Sequence, residues 1–331
     1  MKALLLHKPA PIETSPLQEE EIPTPRPKEK EVLIKVEYCG VCHTDLHLVE
    51  GEIIPPSYPV IPGHQVVGKI EKTGEKVTRW KTGERVGIPW FYSSCGRCKF
   101  CRKGKENLCN KAQFTGFHVN GGYAEYAVAD QDSVYLLPEK YPGENVAPLL
   151  CGGVIGYRAL KLTPLLRGET LGIFGFGASG HIVLQIAKYF NLRVFVFTRS
   201  EKHQEVAREL GADWVGKPDS SPPELLDGAI IFAPAGELVP IALGNIEKGG
   251  TLTLAGIYMT PIPSLEYPLL YQERIIRSVA NSTREDVREL LDIAGKTPLK
   301  TVVEVFPWQE ANQVLQKLKT SQLKASAVLK F

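Results

Sequence analysis

The sequence has little net charge, no long apolar run and only two methionines among its 331 residues. Its 39 lysines and arginines nearly balance 37 aspartates and glutamates, which leaves a formal net charge of +2. This balance excludes the broad positive field that binds nucleic acids or acidic membranes non-specifically. No run of about 18 apolar residues offers a transmembrane helix. The apolar segment after Lys2 covers only residues 3–6, too short for a signal peptide, so we expect a cytoplasmic protein.

Internal repeats and low-complexity segments are also missing from the sequence. Hydrophobic residues make up 43% and charged residues 23% of the chain, as in globular proteins with a full core. This composition excludes a disordered, collagen-like or coiled-coil chain. Because 331 residues exceed the usual length of one domain, we expect two domains.

The apolar pattern changes along the chain and predicts where the two domains lie. Residues 1–152 hold short β-like runs between prolines and glycines, which predicts a β-rich domain with long loops. Residues 153–280 alternate strand and helix patterns, with strands expected at 229–232 and 251–257, which predicts a doubly wound parallel sheet. Residues 281–331 contain a capping-box pattern at Thr283 and end in a strand that should return to the first domain.

Four of the seven cysteines lie in one short segment with the spacing C-x2-C-x2-C-x7-C. They are Cys95, Cys98, Cys101 and Cys109. Disulfides are not expected in a cytoplasmic chain, and four thiolates at this spacing close a tetrahedral shell around zinc. A shell without an open position is structural. An iron–sulfur cluster is the alternative, since closely spaced cysteines also hold clusters.

The remaining three cysteines are Cys39, Cys42 and Cys151. Two thiolates and the imidazole of His64 would hold zinc and leave a fourth position for water or substrate. Sequence spacing does not pair these residues, and each cysteine could instead be a buried structural side chain. That alternative fits Cys39 best, because it lies at the end of an apparent strand.

A glycine-rich turn lies between an apolar strand at 171–174 and a helical pattern. Gly175, Gly177 and Gly180 match G-x-G-x-x-G, and a second apolar strand follows at 194–197. In this setting the glycines let the backbone approach a pyrophosphate, while the helix N-terminus attracts its charge. The segment therefore predicts a Rossmann dinucleotide-binding domain.

The residues after the second strand predict which nicotinamide cofactor binds. An acidic residue there would accept hydrogen bonds from the adenosine ribose and favour NAD. This chain has Thr198, Arg199 and Ser200, with Lys202 close behind. Hydroxyls and a guanidinium suit a 2′-phosphate, so we expect NADP(H) more than NAD(H). The alternative is that Arg199 only points to solvent.

Taken together, these motifs resemble the zinc-dependent medium-chain alcohol dehydrogenases, especially their bacterial members. The resemblance runs nearly end to end. It is carried by Gly40-Val41-Cys42-His43-Thr44-Asp45-Leu46-His47, Pro62-Gly63-His64, the four-cysteine segment, Gly121-Gly122-Tyr123-Ala124-Glu125-Tyr126, Cys151 and the glycine turn. It implies a GroES-like catalytic domain at 1–152 and 281–331 and a Rossmann domain at 153–280. It also implies an oxidoreductase for primary alcohols and aldehydes, with two zinc ions per chain, that forms homodimers or homotetramers.

The resemblance assigns roles to single residues. Cys42, His64 and Cys151 would hold a catalytic zinc, and Asp45 would orient the histidine. Thr44 would contact the substrate oxygen and begin a proton relay that ends at His47, while His43 would contact the cofactor pyrophosphate. Alternatively, His47 is an ordinary exposed histidine and Thr44 a helix N-cap.

Two further positions concern substrate choice and turnover. Trp90 and Phe114 match residues that line the family's substrate cleft, where bulky aromatics favour slim primary alcohols. Trp90 could instead only anchor the loop before Cys95. Gln65 stands where the family usually has glutamate, and a neutral amide there could slow product exchange or weaken zinc retention.

Two other functions compete with this interpretation. An enone or quinone reductase of the same superfamily would lack both zinc sites, so the cysteines argue against it. A non-catalytic NADP-binding redox sensor is motivated only by Gln65.

Overall fold

The computed structural model describes residues 1–257, 259–323 and 326–331 of the chain. The chain forms two compact units. The first unit contains Met1–Cys151 and Asn281–Phe331, and the second contains Gly152–Ala280. No helix of the described residues has the length and apolar character needed to cross a membrane.

The first unit begins with strands that are rich in buried aliphatic side chains. Its elements up to residue 151 are β1 (Lys2–Leu6), β2 (Leu17–Glu21), β3 (Glu31–Val41), α1 (His43–Glu50), β4 (Gln65–Thr73), β5 (Arg85–Ile88), β6 (Phe91–Ser93), β7 (Gln113–Phe114), β8 (Tyr126–Asp130), β9 (Tyr135–Leu136) and α2 (Gly143–Val146). Short 3₁₀ turns join several of them.

The second unit alternates helices and strands. Its elements are α3 (Gly152–Lys161), β10 (Thr170–Phe174), α4 (Ala178–Tyr189), β11 (Arg193–Phe197), α5 (Glu201–Glu209), β12 (Trp214–Gly216), β13 (Leu226–Ile231), α6 (Leu238–Gly244), β14 (Ile246–Leu254), α7 (Tyr267–Leu270) and β15 (Ile275–Ser278). The last part of the chain returns to the first unit with α8 (Arg284–Lys296), β16 (Val303–Pro307), α9 (Ala311–Lys319) and β17 (Ser326–Lys330).

The main sheet of the first unit has the strand order β16-β17-β3-β4-β5-β9, and β8 also pairs with β3. β17 lies antiparallel to β3, so the predicted return of the final strand to the first domain is confirmed. β3 and β4 are also antiparallel, with Gly40 opposite Gln65. The end of β3 therefore lies beside the start of β4, and the residues that follow one strand and precede the other meet at the same edge.

The sheet of the second unit is parallel, with the order β12-β11-β10-β13-β14-β15. This is the doubly wound Rossmann order, and the strand order reverses beside β10. β10 is buried along its whole length, as expected for a central parallel strand. Phe174 at its end stacks on Phe197 of β11, with ring centroids 4.1 Å apart. The doubly wound Rossmann sheet expected from the sequence is thereby confirmed.

The bounds of β14 and the start of α8 bear on two predictions made from the sequence. The strand expected at 251–257 is wrong in its bounds, because β14 runs from Ile246 to Leu254. Its pairing with β15 ends at Leu254 and Ser278, so residues 255–257 have no ladder to join. The capping box is confirmed, since Thr283 caps α8 and exchanges hydrogen bonds with Asp286.

Candidate active site and metal centres

The start of α1 holds the first residues of the site. Cys42 has extended backbone and caps the helix, with its Sγ accepting the N–H of Thr44 at 3.4 Å. The Asp45 carboxylate accepts the backbone N–H of Cys42 at 3.0 Å. The alternative in which Thr44 is the N-cap is therefore wrong, because Cys42 occupies that position and Thr44 is buried in the first turn.

Cys42, His64 and Cys151 bring three metal-binding atoms together. The Nε2 atom of His64 lies 3.3 Å from each sulfur, and the two sulfurs are 3.9 Å apart. Bonds of about 2.0–2.3 Å in a tetrahedral zinc shell put neighbouring donors about 3.5–3.8 Å apart. The donor set and its spacing fit one zinc ion with a fourth position left for another ligand.

Asp45 fixes the orientation of the imidazole in this group. Its Oδ1 atom lies 3.0 Å from Nδ1 of His64 and also accepts the N–H of Gly63 at 3.2 Å. Since a carboxylate only accepts hydrogen bonds, Nδ1 donates its proton to Asp45, and Nε2 is the ring nitrogen that faces the sulfurs and would bind a metal. Asp45 and His64 are both buried, so this contact is shielded from water.

Protons compete with a metal at this group. The Cys151 thiol and burial raise the pKa of the Cys42 thiol well above its ordinary value. Burial alone would lower the pKa of His64, but the charges of Asp45 and Cys42 outweigh it and the pKa ends well above the usual range. Metal binding must therefore release protons.

The four-cysteine segment forms the second metal group, in which Cys95, Cys98, Cys101 and Cys109 converge. The sulfurs of Cys95 and Cys101 are 3.9 Å apart, and two further sulfur pairs are 3.5 Å apart. The backbone N–H groups of Arg97 and Cys98 lower the pKa of the Cys95 thiol to about 6. Four thiolates at tetrahedral spacing fit a structural zinc with no open position.

Cys39 belongs to neither metal group among the described residues. It is fully buried in β3, and burial raises the pKa of its thiol well above the ordinary value. A buried thiol of this kind acts as a small apolar side chain.

His47 and His43 lie on the same side of α1, one turn apart, with ring centroids separated by 6.3 Å. The His47 side chain is only 16% exposed, and its Nδ1 makes a hydrogen bond with the carboxylate of Glu52. This geometry argues against an ordinary exposed histidine. The predicted contact of His43 with a pyrophosphate stays a prediction.

An aromatic wall, formed by Trp90 and Phe114, lies against the first metal group. The Trp90 ring meets His64 edge to face at 4.9 Å and stacks on Phe114 at 4.9 Å, with an angle of 9° between the planes. Its indole N–H donates to Oδ1 of Asn281 at 3.0 Å. Trp90 is therefore fixed beside the histidine of the first metal group, which favours the substrate-lining role over a loop anchor alone.

Gln65 follows His64 and is buried at the start of β4. A Cβ atom added at Gly40 would lie 2.7 Å from Oε1 of Gln65, so the absence of a side chain at Gly40 makes room for the amide.

The glycine turn of the second unit joins β10 to α4. Gly175 has φ +90°, and a Cβ there would lie 2.8 Å from the backbone nitrogen of Ala233. Its N–H donates to the carbonyl of Phe197 at 2.9 Å, which ties the turn to the end of β11. Gly177 caps α4, and a Cβ at Gly180 would lie 2.8 Å from the Gly175 carbonyl. The free N–H groups at the start of α4 suit a pyrophosphate.

The segment directly after β11 contains Thr198, Arg199 and Ser200. It follows Phe197, whose carbonyl accepts the hydrogen bond from Gly175. Thr198 is buried, and Ser200 caps α5 by accepting the N–H of His203 at 3.4 Å. Arg199 is exposed, and no carboxylate of the described residues forms an ion pair with it.

Two residues of the site were not predicted from the sequence. Asn281 reaches Trp90 from 191 positions away, and no local pattern signals such a contact. Glu52 meets His47 because the chain reverses at Gly51, where φ is +82°. The glycine after an apparent helix was the only available signal for that reversal.

Two family descriptions match the chain. "Alcohol dehydrogenase GroES-like domain" matches residues 28–139, and "Zinc-binding dehydrogenase" matches residues 178–296. The first match contains Cys42, His64 and the four-cysteine segment, whereas the second contains most of the parallel sheet.

Three similar proteins span nearly the whole chain. A probable alcohol dehydrogenase, AdhA, of Mycobacterium tuberculosis is 41% identical over 99% of this chain and 97% of its own length. An alcohol dehydrogenase of Geobacillus stearothermophilus is 39% identical over 95% of this chain and 96% of its own. Among solved structures, a cinnamyl alcohol dehydrogenase of Sorghum bicolor has a TM-score of 0.88 and 28% identity, covering 99% of this chain and 97% of its own.

Proposed function

Because this chain belongs to the zinc-dependent medium-chain alcohol dehydrogenases, we propose that it transfers a hydride between primary alcohols, their aldehydes and NADP(H). The observation that carries the proposal is the three-donor group of Cys42, His64 and Cys151, which lies against the aromatic wall. The spacing of its donors leaves one coordination position for a substrate oxygen.

Zinc held by these three residues would polarise the substrate oxygen and make loss of its proton easier near neutral pH. Asp45 keeps Nε2 of His64 directed at the metal position. The hydroxyl of Thr44 takes the proton of the alcohol and passes one on, and His47 is the next acceptor. Trp90 and Phe114 exclude water and bulky branches from the reacting carbon.

The second unit supplies the hydride acceptor. The N–H groups at the start of α4 would bind the pyrophosphate of the cofactor, since Gly175, Gly177 and Gly180 let its backbone come close. His43 would add a polar contact to the same group. The nicotinamide itself performs the hydride chemistry, while the protein binds and orients it.

The preference for NADP rests on the end of β11. An acidic residue there would repel a 2′-phosphate, whereas Arg199 presents an exposed guanidinium next in sequence to the hydroxyls of Thr198 and Ser200. Arginine binds phosphate oxygens through charge-assisted hydrogen bonds. The hydrogen bond from Gly175 to Phe197 keeps this group close to the cofactor turn.

Replacing Arg199 by glutamine tests this preference. Loss of a charge-assisted contact worth about 1.5–3 kcal/mol should raise the KM for NADP about 10- to 100-fold and leave the KM for NAD little changed. Arg208→Gln is the matched control, because Arg208 is an exposed arginine in the last turn of α5. Equal KM values for NADP in wild type and Arg199→Gln would refute the phosphate contact.

The proposal includes two zinc ions per chain, one catalytic and one in the four-cysteine segment. None of the seven cysteines, all of which lie among the described residues, forms a disulfide, and six of them converge in the two metal groups. This use of cysteine supports a reducing compartment such as the cytoplasm.

We also propose that the protein forms a homo-oligomer, a dimer or a tetramer. The support is β15, which lies at the edge of the parallel sheet with Ile275 half exposed. An exposed edge strand offers unpaired backbone groups to another copy of the chain.

A further inference from the structure

The C-terminal end of α1 directs Glu52 back onto His47. Gly51 follows the helix with φ +82°, a conformation that glycine adopts without strain. The chain reverses there, and the N–H groups of Glu52 and Ile53 both donate to the carbonyl of His47, at 2.9 Å and 3.2 Å. The backbone therefore holds Glu52 against His47 independently of their side chains.

The two side chains then meet through a hydrogen bond between Nδ1 of His47 and Oε2 of Glu52. The histidine side chain is 16% exposed, whereas that of the glutamate is 48% exposed. An ionised carboxylate can only accept, so the proton of the neutral ring lies on Nδ1. The Nε2 atom then carries the lone pair and can accept a proton.

The carboxylate of the last residue of α1 is used differently. Glu50 accepts hydrogen bonds from Nζ of Lys319 at 2.8 Å and from the N–H of Ile12 at 3.1 Å. It therefore serves the packing of α1 on neighbouring segments, and Glu52 is the carboxylate that faces the relay histidine.

We propose that Glu52 is the positioning residue of the proton relay, holding His47 as the tautomer that accepts a proton at Nε2. This inference rests on the proposed function. Oxidation of one alcohol gives an aldehyde, a hydride on the nicotinamide and one proton. That proton passes from the Thr44 hydroxyl to Nε2 of His47, and the imidazolium formed is stabilised by the adjacent carboxylate. The imidazolium then gives one proton to bulk water, which restores the neutral ring.

A double-mutant cycle of Glu52→Gln and His47→Gln tests this coupling. At position 52, glutamine keeps the size of the glutamate side chain but removes its charge. In the wild-type background Glu52→Gln should lower kcat for alcohol oxidation about tenfold, with the KM for the cofactor unchanged. In the His47→Gln background the same change should lower kcat by less than about twofold. Glu52→Asp, which keeps the charge, should recover part of the loss.

The chain offers a matched control in another histidine–glutamate pair of the same unit. Nε2 of His7 lies 2.5 Å from Oε1 of Glu20 on the surface. His7 follows β1 and Glu20 lies in β2, so this pair is not part of α1. Glu20→Gln should leave kcat unchanged. Equal losses from Glu52→Gln in both His47 backgrounds would show a merely structural role and overturn the proposal.

Nitrogen-15 NMR of the histidine rings gives a readout that does not depend on turnover. The signal that His47→Gln removes belongs to His47. It should show a protonated Nδ1 in the wild type and move toward the Nε2–H tautomer in Glu52→Gln. An unchanged tautomer would overturn the proposal. If the wild type oxidised no alcohol, the proposed function would fail. These spectra would still show whether Glu52 keeps the proton of His47 on Nδ1.

Discussion

At the scale of single residues, Asp45 shows how one carboxylate serves both folding and chemistry. One of its oxygens caps α1 through the N–H of Cys42, and the other holds Nδ1 of His64. Asp45 and His64 are buried. If an N–H donor replaced either Asp45 oxygen, it would face the N–H of Cys42 or of His64, and two donors repel each other. The helix start and the imidazole orientation are therefore coupled.

Asp45→Asn should weaken binding of the zinc at Cys42, His64 and Cys151 about 10- to 100-fold. The four-cysteine zinc should stay, because its ligands lie elsewhere. Zinc per chain, measured after dialysis against a competing chelator, should fall from two toward one.

Asp213→Asn is the control for this substitution. Asp213 likewise accepts a backbone N–H, from Val194 at 2.7 Å, but lies in the second unit. Retention of both zinc ions by the Asp45 variant at every chelator concentration would contradict the role given to Asp45.

The residues of the site differ in how far the sequence could predict them. The spacing of the four cysteines is local and predicted a metal group directly. Cys42, His64 and Cys151 are far apart in sequence, so only the family resemblance paired them. Glu52 reaches His47 because the chain reverses at Gly51, and Asn281 reaches Trp90 across 191 positions. Neither contact produces a periodic pattern in the sequence.

At the scale of secondary-structure elements, α8 depends on a cap that the sequence predicted. Thr283 Oγ1 accepts the N–H of Asp286 at 3.2 Å, and the Asp286 carboxylate accepts the N–H of Thr283 at 2.8 Å. Both residues are buried, so water cannot replace the lost partners.

Thr283→Ala should lower the free energy of unfolding by about 1 kcal/mol, the usual cost of losing an N-cap. Urea denaturation should show a lower midpoint with an unchanged slope. Thr24→Ala, at an exposed position outside the strands and helices, should leave the midpoint where it is. A wild-type midpoint for Thr283→Ala would show that the cap contributes nothing.

Element types were easier to predict than element bounds. β10, α4 and β11 follow from apolar runs and helical spacing around the glycine turn. β14 starts five residues before the expected strand and ends three before its expected end, since its length is set by pairing with neighbouring strands. Pairing partners are distant in sequence, so a local pattern does not contain this information.

At the scale of the whole molecule, the response to acid depends on histidines that folding buries without charge. His181 lies in the first turn of α4, with its Nδ1 3.1 Å from the Gly177 carbonyl. Burial lowers its pKa below the ordinary value of 6.5. As the pH falls below 6.5, the unfolded chain therefore binds a proton that the folded chain does not, and stability declines.

The free energy of unfolding should fall between pH 7 and pH 5, by at most about 1.4 kcal/mol per pH unit for this histidine. His181→Gln should flatten this dependence, whereas His7→Gln, at an exposed position, should not. Urea titrations at several pH values measure the slopes directly. Equal slopes for wild type and His181→Gln would contradict an uncharged buried His181.

The central claim is best tested by initial rates of nicotinamide reduction with zinc-quantified protein and short primary alcohols, comparing NADP with NAD. We expect turnover that favours NADP, disappears when the zinc at Cys42, His64 and Cys151 is removed, and returns when zinc is added back. Turnover that favours NAD would keep the reaction but contradict the role of Arg199. No turnover with either cofactor, despite two zinc ions per chain, would contradict the proposed reaction itself.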